Sequence, residues 1–487
     1  MRHRFTALAL LGASLLPITA CQPAEAETEM VSAEAARADL QRLYEGLQSA
    51  EANLFVTTPK RVFDKLYEEL LAQYTGAVSE AQLHKDLQRF AALADHGHTR
   101  IESRNPGWSP YADEDGLVFP LRLRIENGEV IVIGAPEGGD IAPGDRIRAL
   151  SGEPNPIWLN RIMQHVSAET PEVAYSLISG GEHYYTWLEY GPQEKFEFKI
   201  ERDGVLKTVE VDAIPVSEFG ALETSESGID LSGREARMLT EEIGYLRPGP
   251  FYNTDATTAE EAYDPDALAA FRSFIDEAYE GFVEAGVEHL VLDLRDNPGG
   301  DNSFSDPVIA WFADEPFSFA SDFRIRVSPE TTASNQARID ALPEGSQSLS
   351  VRMGELYAGA ENGDTVSFEI PHAEPREGQR FEGEVHVLVN RYSYSNAVSA
   401  AALIQDYGFG KIYGEPTRDM ATTYGAMEHF ELPNSGFVVG YPKAHIIRPN
   451  GELKSHPLTP DVRLPVPSIT SSEDVTLNAL IDRLSKN

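Results

Sequence analysis

The chain has 487 residues, room for two to four domains that each hold a core of their own. Its 78 acidic residues against 40 basic ones give a formal charge of −38, a field that repels phosphate backbones and argues against nucleic acid as a partner. The acidity is dispersed and comes with 41% hydrophobic residues, which describes a solvated surface on a folded protein and not a disordered acidic chain.

Arg2 and Arg4 precede an apolar run over 5–16 that is too short to span a bilayer and has the layout of a secretory signal. The run ends in Ile18-Thr19-Ala20-Cys21, and Cys21 is the only cysteine, so it forms no internal disulfide. This junction resembles the bacterial lipoprotein processing site. The resemblance implies a signal over 1–21, a lipid on Cys21 that holds the protein to a membrane, and a flexible tether over 22–32. Gln22 after the cysteine is similar to lipoproteins sent to the outer membrane, so the expected place is the cell envelope, facing the periplasm or the cell surface. No later segment is long and apolar enough to be transmembrane.

Residues 33–94 space their apolar side chains three and four apart, as in LQRLYEGL, VFDKLYEELLAQY and LHKDLQRFAALA, which predicts a helical N-terminal domain over 33–105. It ends in Asp95-His96-Gly97-His98-Thr99-Arg100-Ile101. The histidines have two readings from the residues alone. They are structural groups at a helix end, or a metal pair, since alternate positions on an extended segment share a face.

Residues 113–213 form a second, β-rich unit. LRLRIENGEVIVIG alternates like a hairpin with Asn127-Gly128 at its tip. Gly144-Asp145-Arg146-Ile147 followed by Leu150-Ser151-Gly152 resembles the glycine-aspartate segment of PDZ modules, which bind peptides by adding a strand to a sheet edge. The other reading is a small β-domain that only covers a neighbouring site.

Over 235–487 strands and helices alternate: IGYLRP, LVLDLR and VHVLVN read as strands, 259–285 as largely helical and ALIQDYG as a helix end. Such alternation predicts parallel pairing in a twisted α/β sheet with ligands outside the carboxyl ends of the strands. Two segments stop at small residues in that position. The strand 290–295 ends in Asn297-Pro298-Gly299-Gly300, where bare backbone approaches a substrate closely and offers N–H groups to an oxyanion. The strand 385–390 runs through a tight connection at 392–396 into a helix, so Ser395 stands at a strand-to-helix turn. A serine there is also the ordinary helix cap. Residues 318–379 show weaker periodicity and many turn formers, as an insertion or a lid would.

Taken as a pair, NPGG and the Ser395 turn resemble the core of the C-terminal processing, or tail-specific, serine peptidases and their tricorn-core relatives. The similarity extends to GEPT at 414–417 and TPDV at 459–462. It implies a crotonase-like α/β catalytic core behind the helical and PDZ-like units, with peptide or unfolded protein as substrate and no metal or organic cofactor. Laid over the motif, the family's nucleophile falls on Ser395, not Ser393 or Ser399, and its oxyanion hole on Gly299 or Gly300 with Asn396. The processing peptidases carry a lysine base fourteen residues after the aspartate that closes the nucleophile helix; counted from Asp406 this chain has Met420, whose thioether takes no proton. The resemblance to the tricorn-like branch, with GHT at the end of the helical domain, therefore implies His98 as general base and Glu452 as the acid that orients it. His96 is left without a role. The expected activity is that of an exported serine endopeptidase; the alternatives are a catalytically silent peptide-binding lipoprotein of the same fold and a metal-dependent hydrolase using His96 and His98.

Overall fold

The computed structural model describes residues 30–222, 233–256, 261–342, 345–346, 348–468 and 473–486. The signal run, Cys21 and the tether up to residue 29 lie outside them. The last tether residues belong to the fold: Met30–Val31 pairs with Val78–Ser79, and the Ser32 hydroxyl caps the helix Ala33–Ala50 by accepting from Ala35 N–H. Among the described residues no helix is long and apolar enough to cross a membrane.

The C-terminal half is built on a six-stranded sheet in the order Glu235–Met238, Ile243–Arg247, His289–Asp293, Glu384–Val389, Lys411–Gly414, Val462–Arg463. All neighbours are parallel except the first pair. Both faces of the central strands are apolar, as burial on two sides demands. Leu290, Leu292, Val385, Val387 and Val389 point into a core closed by the helices Pro265–Ala285 and Asn396–Tyr407. The alternate residues Val291 and Leu388 pack with Leu477, Leu480 and Leu484 of the helix Val475–Leu484. The chain turns where its sequence lets it: Asp264 caps Pro265–Ala285 by accepting from Asp266 and Ala267 N–H, and Gly286 ends that helix in the left-handed region.

A second, antiparallel sheet runs Thr365–Ser367, Asp322–Arg326, Val438–Ile447, Thr423–Glu431. Residues 318–379, read from sequence as an insertion or lid, thus supply two strands of this sheet; the charges at Asp322, Arg324 and Arg326 dilute its apolar pattern. The helices Ala33–Ala50, Lys60–Gln73 and Glu80–Ala91 share one core with Phe430, Val439 and Tyr441 of the same sheet and with Leu432 and Phe437 of the connection between its last two strands.

A third large sheet is antiparallel in the order Val205–Asp212, Lys195–Arg202, Arg146–Leu150, Glu129–Gly134, Arg122–Glu126. Asn127 (φ 51°) and Gly128 (φ 79°) take the paired positive-φ conformation of a two-residue hairpin. Asp145, in the segment compared with PDZ modules, is buried and holds its own turn, accepting from Ala142 N–H and from the Arg202 guanidinium.

Candidate active site

The strand Glu384–Val389 and the helix Asn396–Tyr407 are joined by a turn that aims Ser395 outward. Ser395 occupies the cap position, yet its hydroxyl makes no capping hydrogen bond, and its backbone stands at φ 51°, ψ −123°. Such a conformation is strained for any residue but glycine and persists only where surroundings enforce it. Here they do. Asn390 Oδ1 accepts from the N–H groups of Asp296 (3.1 Å), Tyr392 (3.0 Å) and Ser393 (3.1 Å). Ser393 Oγ donates to Leu294 O at 2.7 Å, so the neighbouring serine braces the turn from within the core. Beneath Ser395, the Asp419 carboxylate accepts the N–H of Ser395 and, at 2.8 Å, that of Met420.

His98 reaches this turn from the N-terminal part of the chain. Arg100–Ile101 adds to the edge of Val438–Ile447, pairing with Gly440 and Val439, and Gln88 fixes the segment by accepting Ile101 N–H at 2.7 Å while donating to His165 O. The result places His98 Nε2 3.1 Å from Ser395 Oγ, with the imidazole stacked on Tyr394 at 5.3 Å between centroids. Burial, with the charges of Arg100 and His96, pushes the His98 pKa down to about 3, against a smaller upward pull from the Tyr424 backbone, so the ring is neutral and its Nε2 is free to accept a proton. Among the described residues the buried His98 Nδ1 makes no hydrogen bond of good geometry, and the Tyr424 backbone is the group that draws on the ring.

This overturns the orienting role expected of Glu452. Its carboxylate lies 2.9 Å from His456 Nε2 on the same exposed loop, and only its backbone carbonyl faces inward, to Thr422 Oγ1. His96 and His98 are engaged in different directions, His98 Nε2 facing Ser395. His96 Nδ1 is bound to the buried Glu51, and its ring stacks on Tyr424 at 4.3 Å. Burial lowers the His96 pKa, but the hydrogen bond and charge of Glu51 with the charges of Glu169 and Asp95 outweigh it, and the net shift is upward.

On the glycine side, a Cβ on Gly299 would lie 2.8 Å from Ser395 Cβ and 2.7 Å from Asn396 N, so bare backbone fronts the serine. The expectation that either glycine could offer its N–H is narrowed by one bond: Gly299 N–H is already donated to Asn297 Oδ1 at 2.8 Å. Gly300 is held at φ 135°, where a Cβ would lie 2.2 Å from Phe251 O, and neither its N–H nor that of Asn396 is among the hydrogen-bonded groups of the described residues. The Asn396 side chain is turned away, donating to Ser305 Oγ at 2.9 Å.

Sequence reasoning missed the acids around the turn. Asp419 adjoins Met420, the residue compared with the absent lysine, and burial together with the charge of Glu169 pushes its pKa up to about 7. Glu169, raised by its own burial, accepts Gly97 N–H at 3.2 Å from the β-rich unit. Only the position of Asp419 beside Met420 could have drawn attention to it. Lys443 is committed elsewhere, with Nζ 2.6 Å from Glu428 Oε1. A pocket of about 440 Å³ opens beside Tyr394 and is walled by Thr99, Arg100, Trp108, Tyr184 and Tyr185.

A twisted parallel sheet with a serine elbow, a neutral histidine and glycine backbone at its carboxyl ends has the form of a serine hydrolase. Residues 243–464 match peptidase family S41, so this stretch of the chain is a domain of that family. Mature CPAF in complex with lactacystin superposes with a TM-score of 0.63 at 13% identity, covering 93% of this chain and 97% of CPAF. Mature CPAF without it gives 0.59 at 14% identity, covering 93% and 96%. The photosystem II D1 C-terminal processing protease matches at 0.45 and 15% identity, covering 90% of this chain and 95% of its own. These likenesses concern the fold. No curated protein sequence matches the chain.

Proposed function

We propose that this protein is a serine endopeptidase of the tricorn-like kind, with Ser395 as nucleophile and His98 as general base. The observation that carries the reading is the 3.1 Å approach of His98 Nε2 to the strained Ser395, made between residues 297 positions apart. As a peptide carbonyl enters, the Ser395 Oγ–H proton passes to His98 Nε2 while Oγ bonds to the carbonyl carbon. The N–H groups of Gly300 and Asn396 hold the oxyanion. When the tetrahedral intermediate collapses, the C–N bond breaks and His98 returns its proton to the leaving amine. Water, deprotonated through the same imidazole, then releases the acyl group from Ser395. None of these steps calls for a metal or cofactor. The aromatic pocket beside Tyr394 accommodates a substrate side chain, and the β-rich unit serves to present peptide to the cleft.

Labelling with a fluorophosphonate followed by mass-spectrometric localisation tests this directly. The label is expected on the peptide containing Ser395 and is expected to vanish in Ser395→Ala. A folded protein that binds peptides yet takes no label would establish the silent peptide-binding alternative.

The same reading places the protein in the cell envelope on a lipid at Cys21, since one acyl-bearing cysteine is the anchor the sequence offers. Cys21→Ala is expected to lose the lipid and leave the membrane fraction. Persistent tight membrane binding of that variant would mean a different anchor.

A further inference from the structure

At the end of the parallel sheet opposite Ser395, three metal-ligating side chains converge that the peptidase chemistry does not use. Glu384 and His386 stand two apart at the start of one strand and therefore on one face. His289 begins the adjacent parallel strand and is the register partner of Glu384. Register alone thus gathers an imidazole, a carboxylate and a second imidazole into one patch, on the sheet face that also carries Tyr413.

The spacings suit a shared ion. His289 Nδ1 lies 3.2 Å from His386 Nε2, and Glu384 Oε2 lies 3.8 Å from the first and 3.7 Å from the second. Tetrahedral zinc, with bonds of about 2.0–2.2 Å, separates its ligand atoms by roughly 3.3–3.5 Å. Two imidazole nitrogens facing each other at hydrogen-bond distance compete for a single proton; a cation between them would satisfy both lone pairs. The donor set of two nitrogens and one oxygen belongs to zinc-like transition ions and not to calcium or magnesium, which take oxygen. His386 is buried and His289 mostly so, while the Glu384 side chain is 74% exposed, which leaves the fourth position open to water. The opposing charge is Lys411, exposed, and the register partner of His386 on the next strand.

We propose that His289, Glu384 and His386 form a zinc-binding site that clamps the first residues of two adjacent core strands, independent of the Ser395–His98 centre. The test uses the full chain, stripped with chelator and titrated with zinc chloride by calorimetry, with bound metal counted by mass spectrometry. One zinc per chain is expected, with a Kd of about 10 µM or tighter, and no comparable uptake of calcium or magnesium. His289→Ala and His386→Ala should weaken binding by about 100-fold and Glu384→Gln by about tenfold, whereas Lys411→Ala, which removes a nearby positive charge, should tighten it severalfold. Should the buried His386 variant fail to fold, the partly exposed His289 and Glu384 variants carry the result. Fluorophosphonate labelling of Ser395 should be unchanged in every folded variant, which separates this site from the peptidase reading. Absence of 1:1 zinc binding tighter than about 100 µM, or an unchanged Kd in His289→Ala, overturns the proposal.

Discussion

Burial sets the chemistry of His98 more than any bonded partner does. A depressed histidine pKa means that its stabilising effect is complete above the ordinary value of about 6.5 and is lost as pH falls through about 3, the folded value. For catalysis by the free enzyme this moves the acid limb of kcat/KM well below the pH 6–7 range of an exposed histidine, and a pH–rate profile reads it out. A limb near 6.5 that disappears with no other group would contradict the burial of His98. Asp419 works in the opposite sense. Its folded pKa of about 7 lies above the ordinary carboxyl value, so its stabilising contribution is complete below about 4 and is lost as pH rises through about 7. Asp419→Asn keeps an oxygen for the Ser395 N–H and removes the charge, so thermal melts should show wild type losing ground to this variant between pH 5 and 8. Ser393→Ala strands the Leu294 carbonyl and should cost about 1–3 kcal/mol of stability while labelling at Ser395 persists. Ser395, His98 and Met420 were singled out in sequence by the family motifs laid over them, and the structure brings Ser395 and His98 together. The acids Glu51, Glu169 and Asp419 were not, since their partners His96, Gly97 and Ser395 lie far off in the chain and no periodicity records them; the bond from Gly299 N–H to Asn297 is local but depends on the conformation of the turn.

At the level of the element, the turn between Glu384–Val389 and Asn396–Tyr407 stores strain at a single residue. Glycine tolerates φ 51°, ψ −123° and alanine does not, so inactive Ser395→Gly should be more stable than inactive Ser395→Ala by about 1–3 kcal/mol in denaturant titrations. Equal stability would mean that the turn relaxes when the hydroxyl is removed. The short strand Arg100–Ile101 matters in a different way. Gln88 touches neither reacting atom, yet its side chain ties Ile101 to His165. Gln88→Ala is therefore expected to lower kcat more than it raises KM, by loosening the path to His98, with Gln88→Glu recovering little because Nε2 is the donor to His165. The core strands could be read from sequence because apolar runs on both faces leave few alternatives. The strand Asp322–Arg326 could not, because its outward charges mimic a loop.

On the scale of the whole molecule, the helices of the N-terminal part build a core that is shared with Phe430, Leu432, Phe437, Val439 and Tyr441 and closes over them. Domain boundaries drawn from composition and periodicity miss this, since a shared core leaves no break in either. A fragment of residues 235–487 expressed alone would expose that apolar surface and is expected to aggregate, whereas co-expression with residues 30–234 should rescue solubility; a soluble, cooperatively melting fragment would contradict the shared core. The reach from His98 to Ser395 carries one more consequence. A ribosome makes the histidine first and the serine 297 residues later, and the sheet that holds the serine closes only with Val462–Arg463. On the proposed reading, a nascent chain that has not yet reached Ser395 and the closing strand is expected to take no fluorophosphonate label, so that competence to cut a peptide would arrive only with the last part of the fold.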